Sequence, residues 1–267
     1  MVRKPAVAGY FYPGDREELL WWLREHMEDT PSRIYRAKGV LSPHAGYLYS
    51  GKIAAKVYGK IIIPDLAIIM GPNHTGLGPR ASVMAKGRWE TPLGIVDIDE
   101  ELAEQLLSLA PVLEEDYTAH LREHSVEVQL PFLQFMNPAI KIVPIVLYPL
   151  RFSEVMEIAK AIALALNERE EKFLIVASSD MSHYLPSHIA KEKDFKAIEE
   201  ILRLDGRGLM EVVYREEISM CGYIPASIMV EASKLLGAKR AELVAYSHSG
   251  EVTGEEPVVG YAGVVVY

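Results

Sequence analysis

Leu41-Ser42-Pro43-His44-Ala45-Gly46-Tyr47 sets a histidine into a turn of small residues at the end of an apolar run. Two later stretches repeat the arrangement. Ile68-Ile69-Met70-Gly71-Pro72-Asn73-His74 ends an apolar run in Gly-Pro-Asn-His, and Leu174-Ile175-Val176-Ala177-Ser178-Ser179-Asp180-Met181-Ser182-His183 ends another in an Asp and a His. Short apolar runs bounded by turn residues read as buried strands, and in open α/β sheets ligands bind beyond the carboxyl ends of the strands. Three strand ends therefore predict one shared site, and its histidines point to a metal ion.

Working outward, strands alternate with helices. Asp15 is placed to cap a helix, with Glu18 answering it and Leu19, Leu20, Leu23 and Met27 as its apolar stripe. Trp21 and Trp22 read as packing residues, and Thr30-Pro31-Ser32 as a break. A strand near Lys38 to Leu41 precedes the His44 turn, and Ser50 is placed to cap a helix carrying Ile53, Ala54 and Val57. Asp65 to Met70, Ala81 to Ala85 and Gly94 to Ile98 read as strands, the last two around a turn-rich Trp89-Glu90-Thr91-Pro92. Asp99 opens a helix through Leu109, and Ser125 to Met136 is helical with a bend or break at Pro131. The strand Ile140 to Leu147, a helix capped by Ser153 and running through Leu166, and the strand Phe173 to Ala177 continue the alternation. Helices from Ser187 to Leu204, near Gly208 to Tyr214, and around Pro225 follow, and strands Ala241 to Ser247 and Val258 to Val266 close the chain. The pattern predicts a single α/β domain over residues 1–267, a three-layer α/β/α sandwich around a mixed sheet.

With 267 residues, 49% of them apolar, the chain can bury a sizeable core. Its 28 basic and 37 acidic residues give a net charge of −9, which argues against nucleic acid or an anionic membrane as partner. No apolar run approaches the roughly 18 residues of a membrane span, no signal peptide opens the chain, and one cysteine suits a reducing compartment. A cytoplasmic protein is expected.

His44 and His74 lie in Gly/Pro-rich turns where a ligand can approach the backbone closely. Cys221 lies just before a helix whose amino terminus favours a thiolate, although a free cysteine is also commonly a small buried hydrophobe. Two imidazoles and a thiolate suit Zn, Cu or Fe far better than Mg or Ca. Asp180 and His183 either complete the set or form an acid/base pair, since a carboxylate beside imidazole fixes its tautomer and raises its basicity. His120-Leu121-Arg122-Glu123-His124 matches the H-x-x-E-H pattern of inverted zinc metalloproteases. If Ser125 caps the following helix, however, both histidines precede it and lose the common face that chelation of one zinc requires. His26, His188 and His248 have no evident partners.

Ala8-Gly9-Tyr10-Phe11-Tyr12-Pro13, Pro43-His44-Ala45-Gly46-Tyr47, Gly71-Pro72-Asn73-His74, Glu123-His124-Ser125-Val126-Glu127, Ser178-Ser179-Asp180-Met181-Ser182-His183 and Cys221-Gly222 together resemble the Memo family, over nearly the whole chain. Members of that family resemble class III extradiol ring-cleavage dioxygenases in fold. The resemblance implies His44, His74 and Cys221 as metal positions, with Asp180 and His183 in the same pocket. In the related dioxygenases two histidines and a carboxylate hold Fe(II) while another histidine handles protons; Cys221 in the third place is a departure that alters metal preference.

These residues carry three expectations. The first is a redox enzyme with Fe or Cu on His44, His74 and Cys221, His183 moving a proton and Asp180 orienting it, acting on a small molecule. The second is a binding or signalling protein that uses the pocket for a peptide or a metal. The third is a zinc-dependent hydrolase using the same residues.

Overall fold

The computed structural model describes residues 1–27, 35–169 and 172–267. Its strands are β1 (Val2–Arg3), β2 (Gly39–Ser42), β3 (Leu66–Pro72), β4 (Ala81–Val83), β5 (Arg88–Thr91), β6 (Gly94–Ile98), β7 (Glu114–Glu115), β8 (Lys141–Leu147), β9 (Phe173–Ser178), β10 (His183–Leu185), β11 (Ala241–His248) and β12 (Val258–Val266). The helices are α1 (Arg16–Met27), α2 (Lys52–Gly59), α3 (Glu100–Leu109), α4 (Leu130–Met136), α5 (Phe152–Asn167), α6 (Ser187–Leu202), α7 (Gly206–Arg215), α8 (Tyr223–Leu235) and α9 (Gly250–Thr253).

The strands form one mixed sheet with a spine in the order β1-β5-β6-β8-β3-β9-β2-β12-β10. At its centre β8, β3, β9 and β2 run parallel, and β12 pairs antiparallel with β2. Central strands are buried on both faces, so their side chains alternate between two cores. Leu66, Ile68 and Met70 of β3 and Ile175 and Ala177 of β9 join a core with α3, α5 and α8. Ala67, Ile69, Leu174 and Val176 point the other way, into a core with α1, α2 and α4. This is the expected three-layer sandwich.

The pairing also locates the site. Ser42 of β2 is level with Ser178 of β9, and Met70 of β3 with Ala177. Three adjacent parallel strands thus finish together. His44, His74 and Asp180, each two residues past its strand, are delivered to one crevice.

Several local expectations are corrected. Arg88–Thr91 is a strand, pairing antiparallel with β6 while Trp89 and Thr91 face inward; Glu90 and Pro92 mask that alternation in the sequence. Ser50 does not cap a helix. It lies within a π-helical turn, Tyr47–Gly51, and its hydroxyl donates back to the Ala45 carbonyl at 2.9 Å. Such turns are rare and often mark functional sites. Ser153 lies inside α5, whose N-cap is Arg151, and α6 stops at Leu202 rather than Leu204. Trp22 stacks on His26 and meets Tyr47 and Phe132, but Trp21 is 64% exposed and packs little. Asp15 does cap α1, accepting from the amides of Glu17 and Glu18. The break at Thr30-Pro31-Ser32 lies outside the described residues. Among the described residues, no helix is long and apolar enough to cross a membrane.

Candidate metal centre

One donor atom from each of His44, His74 and Cys221 lies within 4.8 Å of the other two. His44 is buried, Cys221 half-buried and His74 more open. Close backbone contacts set these positions. A Cβ on Gly71 would sit 2.2 Å from the Ser125 hydroxyl, and one on Gly222 would sit 2.3 Å from the Ser178 carbonyl oxygen, so only glycine lets these segments approach.

Hydrogen-bond counting fixes the imidazole tautomers. The Ser178 hydroxyl has one proton, which it donates to the Ser125 carbonyl at 2.6 Å. It can therefore only accept from His44 Nδ1, 2.9 Å away, as it does from the Gln129 amide at 2.8 Å. Nδ1 carries the His44 proton, and the Nε2 lone pair faces the Cys221 sulfur at 3.2 Å. His74 is held in the same way: its Nδ1 lies 2.9 Å from Glu123 Oε1, which can only accept, so Nδ1 carries a proton. A metal-binding imidazole characteristically has its other nitrogen held in this way.

Glu123 is fully buried and has further duties. Oε2 accepts from the His74 amide at 2.6 Å, and Oε1 accepts from the amides of His124 and Ser125 at 3.0 and 2.9 Å. Burial alone would raise its pKa, but the His74 hydrogen bond and charge, the Ser125 amide and His124 outweigh it and hold the carboxyl down at about 2. The chain thereby keeps a carboxylate under the His74 ring.

His124 joins the cluster. Its ring stacks on His74 at 4.7 Å and 16°, and lies 5.4 Å from His44 edge-on. Burial lowers its pKa, with His74 reinforcing the shift and Glu123 opposing it. Burial, then His124, His74 and His183, drive His44 well below the ordinary histidine range. Both rings are thus biased toward the neutral, ligating form.

Two expectations for the site are corrected. The helix start at Cys221 does not yield a low thiol pKa: burial, then the Asp180 charge, push it upward. With His44 Nε2 as a lone pair, the sulfur holds its proton toward that nitrogen. Nor does Asp180 hold the His183 ring. Asp180 Oδ1 accepts from the amides of His44 and Ala45 at 2.8 and 3.2 Å, clamping the His44 turn onto the end of β9. His183 Nδ1 is instead 2.8 Å from the Ser219 carbonyl, which can only accept, so Nδ1 carries a proton. Burial raises the Asp180 pKa, the two amides and His183 offsetting part of the rise.

A cavity of about 330 Å³ opens beside His124, Asp180 and His183, walled by Tyr10, Phe11 and Tyr184. Its N-terminal wall is fastened by Glu127, whose carboxylate accepts from the amides of Ala6 and Val7 and from the Tyr12 hydroxyl. The same carboxylate pairs with buried Arg3.

The H-x-x-E-H pattern does not chelate. His120 ends a short 3-10 turn with its Nε2 3.0 Å from the Ser82 hydroxyl, and among the described residues no candidate ligand group includes it. Glu123, His124, Ser178 and Gln129 were given no place in the site by sequence reasoning. The available signal was polarity out of place: Glu127 and Gln129 alternate with Val126, Val128 and Leu130 in a segment that otherwise reads as core.

The sequence profile of a family described as Memo-like protein matches residues 3–265. The chain belongs to the Memo family. A MEMO1 family protein of Aquifex aeolicus is 46% identical over 268 residues, covering 99% of this chain and 98% of that protein. One from Methanosarcina barkeri is 45% identical over 267 residues, covering 99% and 100%. A crystal structure of an uncharacterized protein, JW3007 of Escherichia coli K12, superposes with a TM-score of 0.58 at 16% identity, covering 86% of this chain and 99% of that one. That likeness is one of fold. The Memo family match spans every segment that builds the histidine cluster.

Proposed function

We propose that this Memo family chain is a metal-dependent oxidoreductase whose ion is held by His44, His74 and Cys221. The observation that carries the reading is the convergence of one donor atom from each of two imidazoles, each ring held at Nδ1, with a cysteine sulfur, all within 4.8 Å of one another. Metal bonds of roughly 2.0 Å to nitrogen and 2.3 Å to sulfur can reach both His44 Nε2 and Cys221 Sγ, 3.2 Å apart, from one point. Three protein ligands leave positions open for a reactant, and the soft donor favours Fe, Cu or Zn. A bound Fe or Cu would supply electron transfer to a small-molecule substrate in the adjoining cavity.

The chain's own residues have distinct parts. Ser178 and Glu123 aim the two imidazoles, and Asp180 holds the His44 turn. His183, its ring held at Nδ1 by the Ser219 carbonyl and lining the cavity, accepts a proton from the substrate and returns it. His124 covers one face of His74.

A second reading, ligand binding without turnover, draws on the cavity mouth. Tyr10 is 89% and Tyr184 76% exposed there, and Tyr184 holds a left-handed backbone (φ 58°) uncommon outside glycine. Such a rim suits a peptide or other aromatic-contacting partner.

Elemental mass spectrometry on anaerobically purified protein tests the metal assignment. Near-stoichiometric Fe or Cu is expected in wild type, with loss in both His74→Ala and Cys221→Ser. Zinc alone, with hydrolytic turnover restored by added zinc, would replace the redox reading. No metal even after reconstitution would leave the binding reading. Glu123→Gln, which keeps an acceptor for the backbone amides but removes the charge under His74, is expected to weaken metal binding about 10- to 100-fold. Competition with a chromogenic chelator measures it.

A further inference from the structure

A second cavity, of about 390 Å³, lies at the opposite end of the sheet, where Lys38 leads into β2 and Phe173 begins β9. Of its ten described lining residues four are Arg or Lys and none is Asp or Glu, in a chain whose net charge is −9. Arg169 is committed to Asp99, at 3.0 Å, and to Glu101. Arg36, Lys38 and Lys172 have no acidic partner among the described residues; Lys38 Nζ rests 4.9 Å from the Phe173 ring centre.

The fold itself gives these cations little to do. The carboxyl end of α5 reaches the cavity at Leu166 and Asn167, and it presents only about half a negative charge. Three cations without an acidic partner among the described residues exceed what that dipole requires. A concave surface lined by one sign of charge concentrates counter-ions of the other sign. The remaining wall is apolar, with Ile62, Leu166 and Phe173 offering surface to an uncharged body beside the charged group. The volume lies within the roughly 300–1,000 Å³ range of small-molecule sites.

We propose that this cavity is a binding site for an organic diphosphate of nucleotide size, separate from the histidine cluster. Arg36, Lys38 and Lys172 take the phosphates, and Ile62, Leu166 and Phe173 take the apolar body. A single carboxylate would leave most of the positive charge unmatched, which is why the charge count selects a diphosphate.

Calorimetric titration of the full chain with ADP, adenosine and pyrophosphate tests this. ADP is expected to bind more tightly than either fragment and to weaken as salt is raised. Arg36→Ala with Lys172→Ala, both at exposed positions, is expected to weaken ADP at least tenfold, and Lys38→Ala to weaken it separately. His74→Ala is expected to leave ADP binding unchanged. Absence of ADP binding at millimolar concentration in low salt would overturn the proposal, as would ADP binding indifferent to both sets of cation variants. Pyrophosphate binding as tightly as ADP would overturn the assignment of the apolar wall. Binding gained only after Glu170→Gln with Glu171→Gln would mean that the chain supplies its own anions, and would overturn it too.

Discussion

Replacing Glu127 with alanine is expected to destabilise the protein by about 3–5 kcal/mol, because it strands a buried charge. Arg3 and Glu127 are both fully buried, and their ion pair lies beneath the N-terminal wall of the histidine cavity. The Arg3 guanidinium also donates to the carbonyls of His120 at 2.9 Å and Glu123 at 2.7 Å, and lies 4.1 Å over the Trp89 ring. Removing the carboxylate leaves that cation paired only with neutral groups. It also orphans the amides of Ala6 and Val7 and the Tyr12 hydroxyl. For a chain of this size the loss corresponds to a fall in melting temperature of about 10 °C, measurable by calorimetry. A charge-based cause has its own signature. Arg3→Met combined with Glu127→Gln removes both charges and keeps an acceptor, so the double variant should be more stable than Glu127→Ala. Equal or greater loss in the double variant would show that packing, rather than the unpaired charge, sets the cost. The effect reaches the site because the fastened segment carries Phe11, whose ring lies 4.8 Å from His124.

What could be read from the chain alone follows from which interactions are local. His44 and His74 were legible because each ends an apolar run in a rigid turn, and parallel neighbouring strands then bring the turns together. Cys221 needed the family resemblance as well: nothing near it in the sequence names His44, 177 positions away, as its neighbour. Ser178 lay inside a stretch already singled out, yet its role depends on where its one proton goes, which only the Ser125 carbonyl decides. The pairing of Asp180 with His183 failed for a similar reason. Proximity in sequence proposed it, but the backbone between them turns the carboxylate toward the His44 amide and the imidazole toward Ser219. The β5 strand was missed because its inward positions, Trp89 and Thr91, alternate with a charge and lead into Pro92.

His120 provides a measurable consequence of the misleading H-x-x-E-H pattern. It is fully buried against Trp89 and Ser82, and its Nδ1 has no hydrogen-bond partner among the described residues. Burial, reinforced by the Arg3 charge, lowers its pKa from 6.5 to about 3. The folded chain therefore refuses a proton that the unfolded chain accepts below about pH 6.5. The stability of the neutral imidazole is fully present above that pH, falls by up to about 1.4 kcal/mol for each unit below it, and stops falling near pH 3. Between pH 6.5 and 4, denaturant titrations of metal-free protein should show wild type losing up to about 3 kcal/mol more than His120→Gln, which cannot ionise. Equal slopes in the two proteins would mean that His120 is protonated in the fold. A zinc-ligating histidine would behave otherwise, since its protonation would be coupled to release of the ion. The same substitution should leave the metal content measured for wild type unchanged: His120 bonds Ser82 away from the imidazole cluster, while the ring of His124, four residues on, packs against His74 and His44.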